Sequence, residues 1–179
     1  MPNLKDIKSR ISSVQNTKKI TKAMKMVAAA KVKKAENTVK AARPFSDELL
    51  HLFRKMLATV GEYSVAGLHV QRALDNYPEL LEKRDIKTEG LLVITSNKGL
   101  AGAYNSNIIK TAIARIRANK ERGVNTVIYP VGQKAVSAFK HAGKYFELKE
   151  GYISIANDPT ATGANIIAED IAEDFVSGH

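Results

Sequence analysis

Residues 3–60 read NLKDIKSRISSVQNTKKITKAMKMVAAAKVKKAENTVKAARPFSDELLHLFRKMLATV. Glycine is absent before Gly61, and alanine, lysine and methionine, which favour helix, are frequent. Asn3 with Asp6 three residues later is a weak capping box at the start of this stretch. Pro44 is its one helix breaker, since proline lacks an N–H and clashes with the preceding turn. The stretch predicts one long helix over 3–60.

Apolar residues repeat at alternating spacings of three and four from Leu4 to Val60 and form a seam along the predicted helix. Thirteen of the seventeen seam positions are apolar, which is a longer run than the three or four heptads that indicate a coiled coil. The seam stays in phase across Pro44, so we expect a kink there and not an end. At 1.5 Å per residue the helix would be about 85 Å long.

The seam is interrupted at Lys18, Thr21 and Lys25. Over the same turns the apolar residues lie on another side of the helix, at Ile20, Met24 and Val27. We therefore expect the middle of the helix to face a different neighbour from its two ends.

The net charge of +10 is concentrated at the start of the chain. Residues 1–43 hold twelve Lys and Arg against two acids, whereas the other 136 residues hold sixteen of each sign. A basic helix attached to a neutral remainder predicts an acidic partner: nucleic acid, anionic lipid or an acidic protein surface.

The composition excludes several classes of protein. The chain has no cysteine, which excludes disulfide scaffolds, Cys-ligated zinc and thiol catalysis. Its 44% of hydrophobic residues is enough for a packed core. It contains no run of about 18 apolar residues, and its first ten residues lack the apolar core of a secretory signal.

Residues 61–88 read as a linker with one short helical piece, and residues 89–179 alternate between strand and helix patterns. Strands are predicted at 90–95 and 124–131, with short ones at 145–148 and 152–155. Helices are predicted at 105–122, 133–141 and 160–176. Apolar strands that alternate with helices predict an α/β fold with a mostly parallel sheet buried on both faces. The fold class is thus α/β: a long N-terminal coiled-coil helix plus an incomplete Rossmann-like domain.

Residues 95–105, TSNKGLAGAYN, lie between a predicted strand and a predicted helix, where a phosphate-binding loop would lie. The glycines are spaced Gly99-x-x-Gly102 and not G-x-G-x-x-G, so a tight turn explains them better than a dinucleotide site. Val131-Gly-Gln-Lys134 likewise lacks the full P-loop pattern.

No residue pattern indicates a catalytic, cofactor or metal site. The four histidines, at 51, 69, 141 and 179, are not at metal-ligand spacing. Asp170 and Asp174 are interpreted as part of a solvated acidic helix face, together with Glu169 and Glu173.

Two motifs resemble the F-type ATP synthase γ subunit family. Residues 20–31, ITKAMKMVAAAK, preceded by ISSVQNT at 11–17, resemble the family's N-terminal helix. Residues 96–105 resemble its S-D-x-G-L-C-G-x-[FY]-N element through Gly99, Leu100, Gly102, Tyr104 and Asn105. Asn97 and Ala101 depart from the family's usual Asp and Cys. The resemblance runs over essentially the whole chain and includes Arg43-Pro-Phe-Ser46.

Family members are longer and end in a second long helix that coils antiparallel around the first. The resemblance therefore implies that this chain is the N-terminal portion of such a subunit, without the helix that would pair with its seam.

The resemblance implies a central stalk that rotates inside a ring of α and β subunits, with a foot on the membrane c-ring beside the ε subunit. It implies no active site and no cofactor in this chain, and a peripheral position at the cytoplasmic face of a bacterial membrane. Contacts with the ring are expected at Lys18, Lys22 and Lys25, with Met24, Ile20 and Val27 in the coupling segment. A basic-helix nucleic-acid-binding protein is the alternative, and a nucleotide-binding enzyme is a third reading.

Overall fold

A computed structural model of the chain describes residues 3–65, 80, 84–142, 145–157 and 159–178, with only the backbone at 57 and 59–65. The chain divides into two units, residues 1–76 and 77–179, and each is considered by itself. Most of the predicted linker, including its expected helical piece, lies outside the described residues.

Within the first unit the structure describes helix α1, Leu4–Val65, whose 62 residues extend about 93 Å at 1.5 Å per residue. The helix continues through Pro44, as the unbroken phase of the seam predicts. It also continues past the predicted end at residue 60, so the first residues assigned to the linker are helical. Every side chain described on α1 is exposed, including those of sixteen large apolar residues.

The second unit contains a parallel sheet of three strands in the order β1-β2-β3, which confirms the predicted sheet type. The strands are β1 (Thr88–Ile94), β2 (Asn125–Val131) and β3 (Glu147–Leu148). Thr88 pairs with Asn125 at one end of β1 and Ile94 with Val131 at the other. The strand predicted at 152–155 is only an isolated bridge from Tyr152 to Val131.

The three helices predicted for this unit are present: α2 (Tyr104–Glu121) after β1, α3 (Gln133–Lys140) after β2, and α4 (Ala161–Ser177) after β3. Gly178 takes the left-handed conformation that ends α4, and the Thr160 hydroxyl caps its start by accepting the Gly163 N–H at 3.1 Å.

The core of this unit lies between β1, β2, α2 and α3 and centres on Ile128 and Phe139. Phe139 meets Phe146 edge-to-face at 5.6 Å between ring centroids. β2 is buried along both faces after its first residue, but β1 has Leu92 and Ile94 exposed. The expectation that both strands are buried on both faces is therefore wrong for β1, because α2 packs on the face of Leu91 and Val93, whereas no described helix covers Leu92 and Ile94.

Candidate functional site

The six residues predicted for α1 form two stripes on nearly opposite sides of the helix. Ile20, Met24 and Val27 follow the i, i+4, i+7 spacing of one face, and Lys18, Lys22 and Lys25 follow the same spacing on the other. At about 100° per residue, the two stripes are roughly 160° apart around the helix axis. This part of α1 thus has an apolar side and a basic side.

Both stripes are available for contact. The apolar residues are more than half exposed, with 51% of Met24 accessible. The ammonium groups of Lys18, Lys22 and Lys25 make no hydrogen bond or ion pair with any described residue. The Thr21 hydroxyl instead donates to the backbone carbonyls of Thr17 and Lys18 at 3.0 and 3.1 Å. The three ammonium groups can therefore attract an anionic surface without first breaking a contact in the described chain.

Hydrogen bonds between Ser96 and Asn105, the second residue of α2, close the loop between β1 and α2. The Ser96 N–H donates to Asn105 Oδ1 at 3.0 Å, and Asn105 Nδ2 donates to Ser96 Oγ at 2.9 Å. Gly102, inside the loop, has a φ of 56°, which favours glycine. Asn105 of the family motif therefore holds the base of the loop.

The same loop accepts hydrogen bonds from the first backbone amides of α3. Thr95 Oγ1 accepts the Ala135 N–H at 2.8 Å, Asn97 Oδ1 accepts the Gln133 N–H at 2.7 Å, and the Ser96 carbonyl accepts the Lys134 N–H at 3.2 Å. Helix N-terminal amides are the groups that bind phosphate in nucleotide sites. Since these three are already bonded within the protein, the geometry opposes a phosphate site at α3.

The tip of the loop is exposed. Leu100 is 95% accessible and has a φ of 60°, a left-handed conformation that costs a non-glycine residue about 1–2 kcal/mol. Gly99 has open space around its Cα, and Tyr104 is half exposed at the start of α2. The loop residues belong to the second unit and the α1 stripes to the first, so each group is described by itself.

The sequence predicts only a solvated acidic face at Asp170 and Asp174 on α4. In the structure both carboxylates instead accept hydrogen bonds from tyrosine side chains. The Tyr152 hydroxyl donates to Asp170 Oδ2 at 2.5 Å, and the Tyr129 hydroxyl donates to Asp174 Oδ2 at 2.6 Å. Lys149 Nζ also donates to Asp174 Oδ1 at 3.1 Å. These bonds join α4 to the sheet, and no local sequence pattern connects residues 18 to 45 positions apart.

The acidic partners and partial burial change the titration of these tyrosines. Burial raises the pKa of Tyr129 well above its usual 10, and the bond to the Asp174 carboxylate raises it further. Burial, followed by the bond to Asp170, likewise raises the pKa of Tyr152. Lys149 also has a raised pKa, mainly through its bond to Asp174. These shifts keep both phenols protonated and support a structural role for the pairs.

A second polar group ties α2 to the start of the sheet. Arg115 Nε and Nη2 donate to the two carboxylate oxygens of Glu89 at 2.6 and 2.5 Å. This bidentate bond, supported by Asn119 and Arg122, holds the pKa of Glu89 below its usual 4.5. The arrangement is an ion pair between structural elements and not an acid–base pair facing a cleft.

The described residues hold neither a metal-binding cluster nor a helix suited to spanning a membrane. They contain no group of three or more His, Cys, Asp or Glu side chains placed to hold a metal ion. Within the described ranges, none of the helices is long and apolar enough to span a bilayer.

Similarity to known proteins decides the family. A sequence model of the family described as ATP synthase matches residues 3–179. The ATP synthase gamma chain of Crocosphaera subtropica is 40% identical over 179 residues, which is 99% of this chain and 52% of the relative. The chain belongs to the ATP synthase gamma chain family. This gamma-family chain is also 39% identical to the gamma chain of Gloeothece citriformis and 38% identical to that of Gloeobacter violaceus, each over 179 residues.

The gamma-family chain spans about half the length of the curated relatives it matches: 52% of the first two and 53% of the third. Nothing in these similarities supports the nucleic-acid-binding alternative.

Proposed function

We propose that this chain is the N-terminal portion of the central stalk of an F-type ATP synthase, which couples proton translocation to ATP synthesis or hydrolysis by rotating inside an α/β ring. The observation that carries the proposal is the 40% identity to a gamma chain over 99% of this chain. The long exposed helix α1 supports it independently, because a rotating shaft needs length and stiffness.

The two stripes on α1 suit contact with a ring of α and β subunits that differ around the helix. A rotor that drives different states around a ring must present different surfaces in different directions. In this proposal the basic stripe of Lys18, Lys22 and Lys25 faces acidic surfaces of the α and β subunits. Exposed charges of this kind give attraction that is long-ranged and screened by salt, without tight fixed bonds.

The apolar stripe has the complementary role. Met24, with Ile20 and Val27, packs against a helical partner or the inner surface of the α/β ring. This contact transmits force between the rotating stalk and the ring. Because 51% of Met24 is exposed, an apolar contact there would remove accessible surface from water.

The second unit serves as the foot in this proposal and meets the ε subunit and the membrane c-ring. Its loop tip at Leu100 is a partner contact and not a nucleotide site, since the neighbouring amides of α3 are bonded to the loop. In this proposal the chain supplies no catalytic residue and associates with the cytoplasmic face of a bacterial membrane through the complex.

Co-purification tests the proposal. The full chain is co-expressed with the α and β subunits of an ATP synthase whose gamma chain is one of the relatives above. We expect it to be retained with these subunits at low salt and to dissociate progressively as the salt concentration rises. Replacing Lys18, Lys22 and Lys25 together with Gln should weaken retention several-fold. The matched control replaces Lys31, Lys34 and Lys40 with Gln, which removes the same charge from other turns of α1.

Two results would contradict the proposal. One is no retention by the α and β subunits at any salt concentration. The other combines two observations. Both triple variants lose retention by the α and β subunits equally, and the chain binds duplex DNA with an affinity that falls steeply and linearly on a log–log plot against salt. That salt dependence is the behaviour of a phosphate-binding protein.

A further inference from the structure

Residues 149–155 form a connector between β3 and α4 and cross the carboxyl end of β2. The Tyr152 N–H donates to the Pro130 carbonyl at 2.9 Å, and the Gly132 N–H donates to the Tyr152 carbonyl at 3.2 Å, which fixes the backbone of Tyr152 on β2. We propose that the connector couples the loop at residues 95–105 to α4, so that a displacement of either one shifts the other. This inference concerns the second unit alone and does not depend on the proposed function.

On one side the connector is bonded to the loop through Asn97. Asn97 Nδ2 donates to the Ile153 carbonyl at 2.7 Å, while Asn97 Oδ1 accepts the Gln133 N–H at 2.7 Å. Ile153 directly follows Tyr152 in the chain. A displacement of the loop therefore pulls on the residue next to Tyr152.

On the other side three connector residues contact α4 at successive levels of the helix. They are Ile155 against Gly163, Tyr152 bonded to Asp170, and Lys149 bonded to Asp174. The Tyr152 hydroxyl donates to Asp170 Oδ2 at 2.5 Å, and Lys149 Nζ donates to Asp174 Oδ1 at 3.1 Å. These contacts span about three turns of α4, so the connector influences the position of most of the helix.

The space between the connector and α4 is not filled by side chains. A cavity of about 540 Å³ is lined by residues of both, among them Gly151 and Ile166. Within α4 only Gly163 and Ile167 are buried. Close packing restricts the movement of one element against another, and its absence here leaves the polar bonds to set where α4 lies.

Two further bonds hold α4 without passing through the connector. The Tyr129 hydroxyl donates to Asp174 Oδ2 at 2.6 Å from β2, and Arg84 Nη1 donates to the Phe175 carbonyl at 2.9 Å. Tyr129 and Tyr152 thus make the same kind of bond to α4, but only Tyr152 is adjacent to the residue that Asn97 holds. This difference separates coupling through the connector from simple attachment of the helix.

Amide hydrogen exchange of the full chain, followed by NMR, tests the coupling. We expect Asn97→Asp to raise the exchange rates of the amides at residues 170–174 at least threefold relative to the Ile116 amide in α2. The aspartate keeps the oxygen that accepts from Gln133, but it lacks the N–H that donates to Ile153. The α2 reference distinguishes local opening from unfolding of the whole unit.

The reverse measurement starts at α4. Because coupling between two sites is reciprocal, Tyr152→Phe should raise the exchange rate of the Gln133 amide at least threefold. Tyr129→Phe is the matched control, which should raise exchange in α4 and leave the Gln133 amide unchanged. Asp170→Ala removes the Tyr152 bond from the exposed helix, so it gives the same test if Tyr152→Phe does not fold.

The double variant of Asn97→Asp and Tyr152→Phe is the decisive measurement. Both changes cut one continuous link, so exchange in α4 should match the larger single effect and not the product of the two. Three results would overturn the proposal: a product of the two effects, no change in α4 on Asn97→Asp, or a Gln133 amide that responds equally to both tyrosine variants. None of them affects the test with α and β subunits.

Discussion

The Asn97 side chain accepts the backbone N–H of Gln133 at 2.7 Å and so joins the loop after β1 to the first residue of α3. Its amide nitrogen donates in the other direction, to the Ile153 carbonyl at 2.7 Å. One side chain thus holds three separate segments at the carboxyl end of the sheet.

We predict that Asn97→Ala lowers the free energy of unfolding by about 1–2 kcal/mol, because it removes a helix cap and a second hydrogen bond. Denaturant titration of the full chain measures this loss. Asn157→Ala is the control, since the side chain of Asn157 is exposed and forms no hydrogen bond with the described residues. Equal effects in the two variants would show that the Asn97 bonds do not stabilise the fold.

Gly132 is predicted to tolerate no side chain. Its φ is 90°, and a Cβ atom there would lie 2.3 Å from the Thr95 carbonyl oxygen. We expect Gly132→Ala to cost more than about 2 kcal/mol, since strain in φ and a backbone clash add. Gly123→Ala separates the two causes, because Gly123 has a φ of 71° with open space around it. That variant should cost only about 1 kcal/mol, and a similar loss in both would disprove the clash.

The Glu89–Arg115 pair predicts a dependence of stability on pH. The pKa of Glu89 is held below 4.5 in the folded chain. The contribution of this carboxylate to folding stability is therefore fully present above pH 4.5 and is lost as the pH falls through the lowered pKa of the folded state. Glu89→Gln should therefore be less stable than the unmodified chain at neutral pH, and the difference should shrink in acid. Denaturant titrations at several pH values measure it, with Glu121→Gln, which has no ion pair among the described residues, as the control. A difference that is constant with pH would contradict this assignment.

Met24→Lys is predicted to impair coupling in an assembled ATP synthase whose gamma chain carries this sequence. A lysine there places a cation on the apolar stripe, so we expect proton pumping to fall several-fold relative to ATP hydrolysis while assembly persists. Reconstituted vesicles allow both rates to be measured. Met26→Lys adds the same charge two residues away, on neither stripe, and should leave the ratio near normal. An unchanged ratio in Met24→Lys would refute the proposed coupling role.

Much of the architecture follows from local sequence patterns. The heptad repeat predicts α1, including its passage through Pro44, and the alternation of apolar runs with amphipathic stretches predicts the parallel sheet and its helices. The sequence predicts an end at residue 60, too early, because Gly61 indicates the start of a linker, whereas α1 continues to Val65. The tyrosine–aspartate pairs could not be predicted, because Asp170 and Asp174 have the spacing of any solvated helix face.

The sequence by itself determined the long helix, its two stripes and the family, since periodicity and short motifs are local properties that need no knowledge of packing. Only the tertiary structure decided that Asn97, Ser96 and Thr95 bond the first amides of α3, and that Tyr129 and Tyr152 hold α4. The physical reason is that those bonds join residues distant in the chain, whose approach depends on how the strands pair and the core packs.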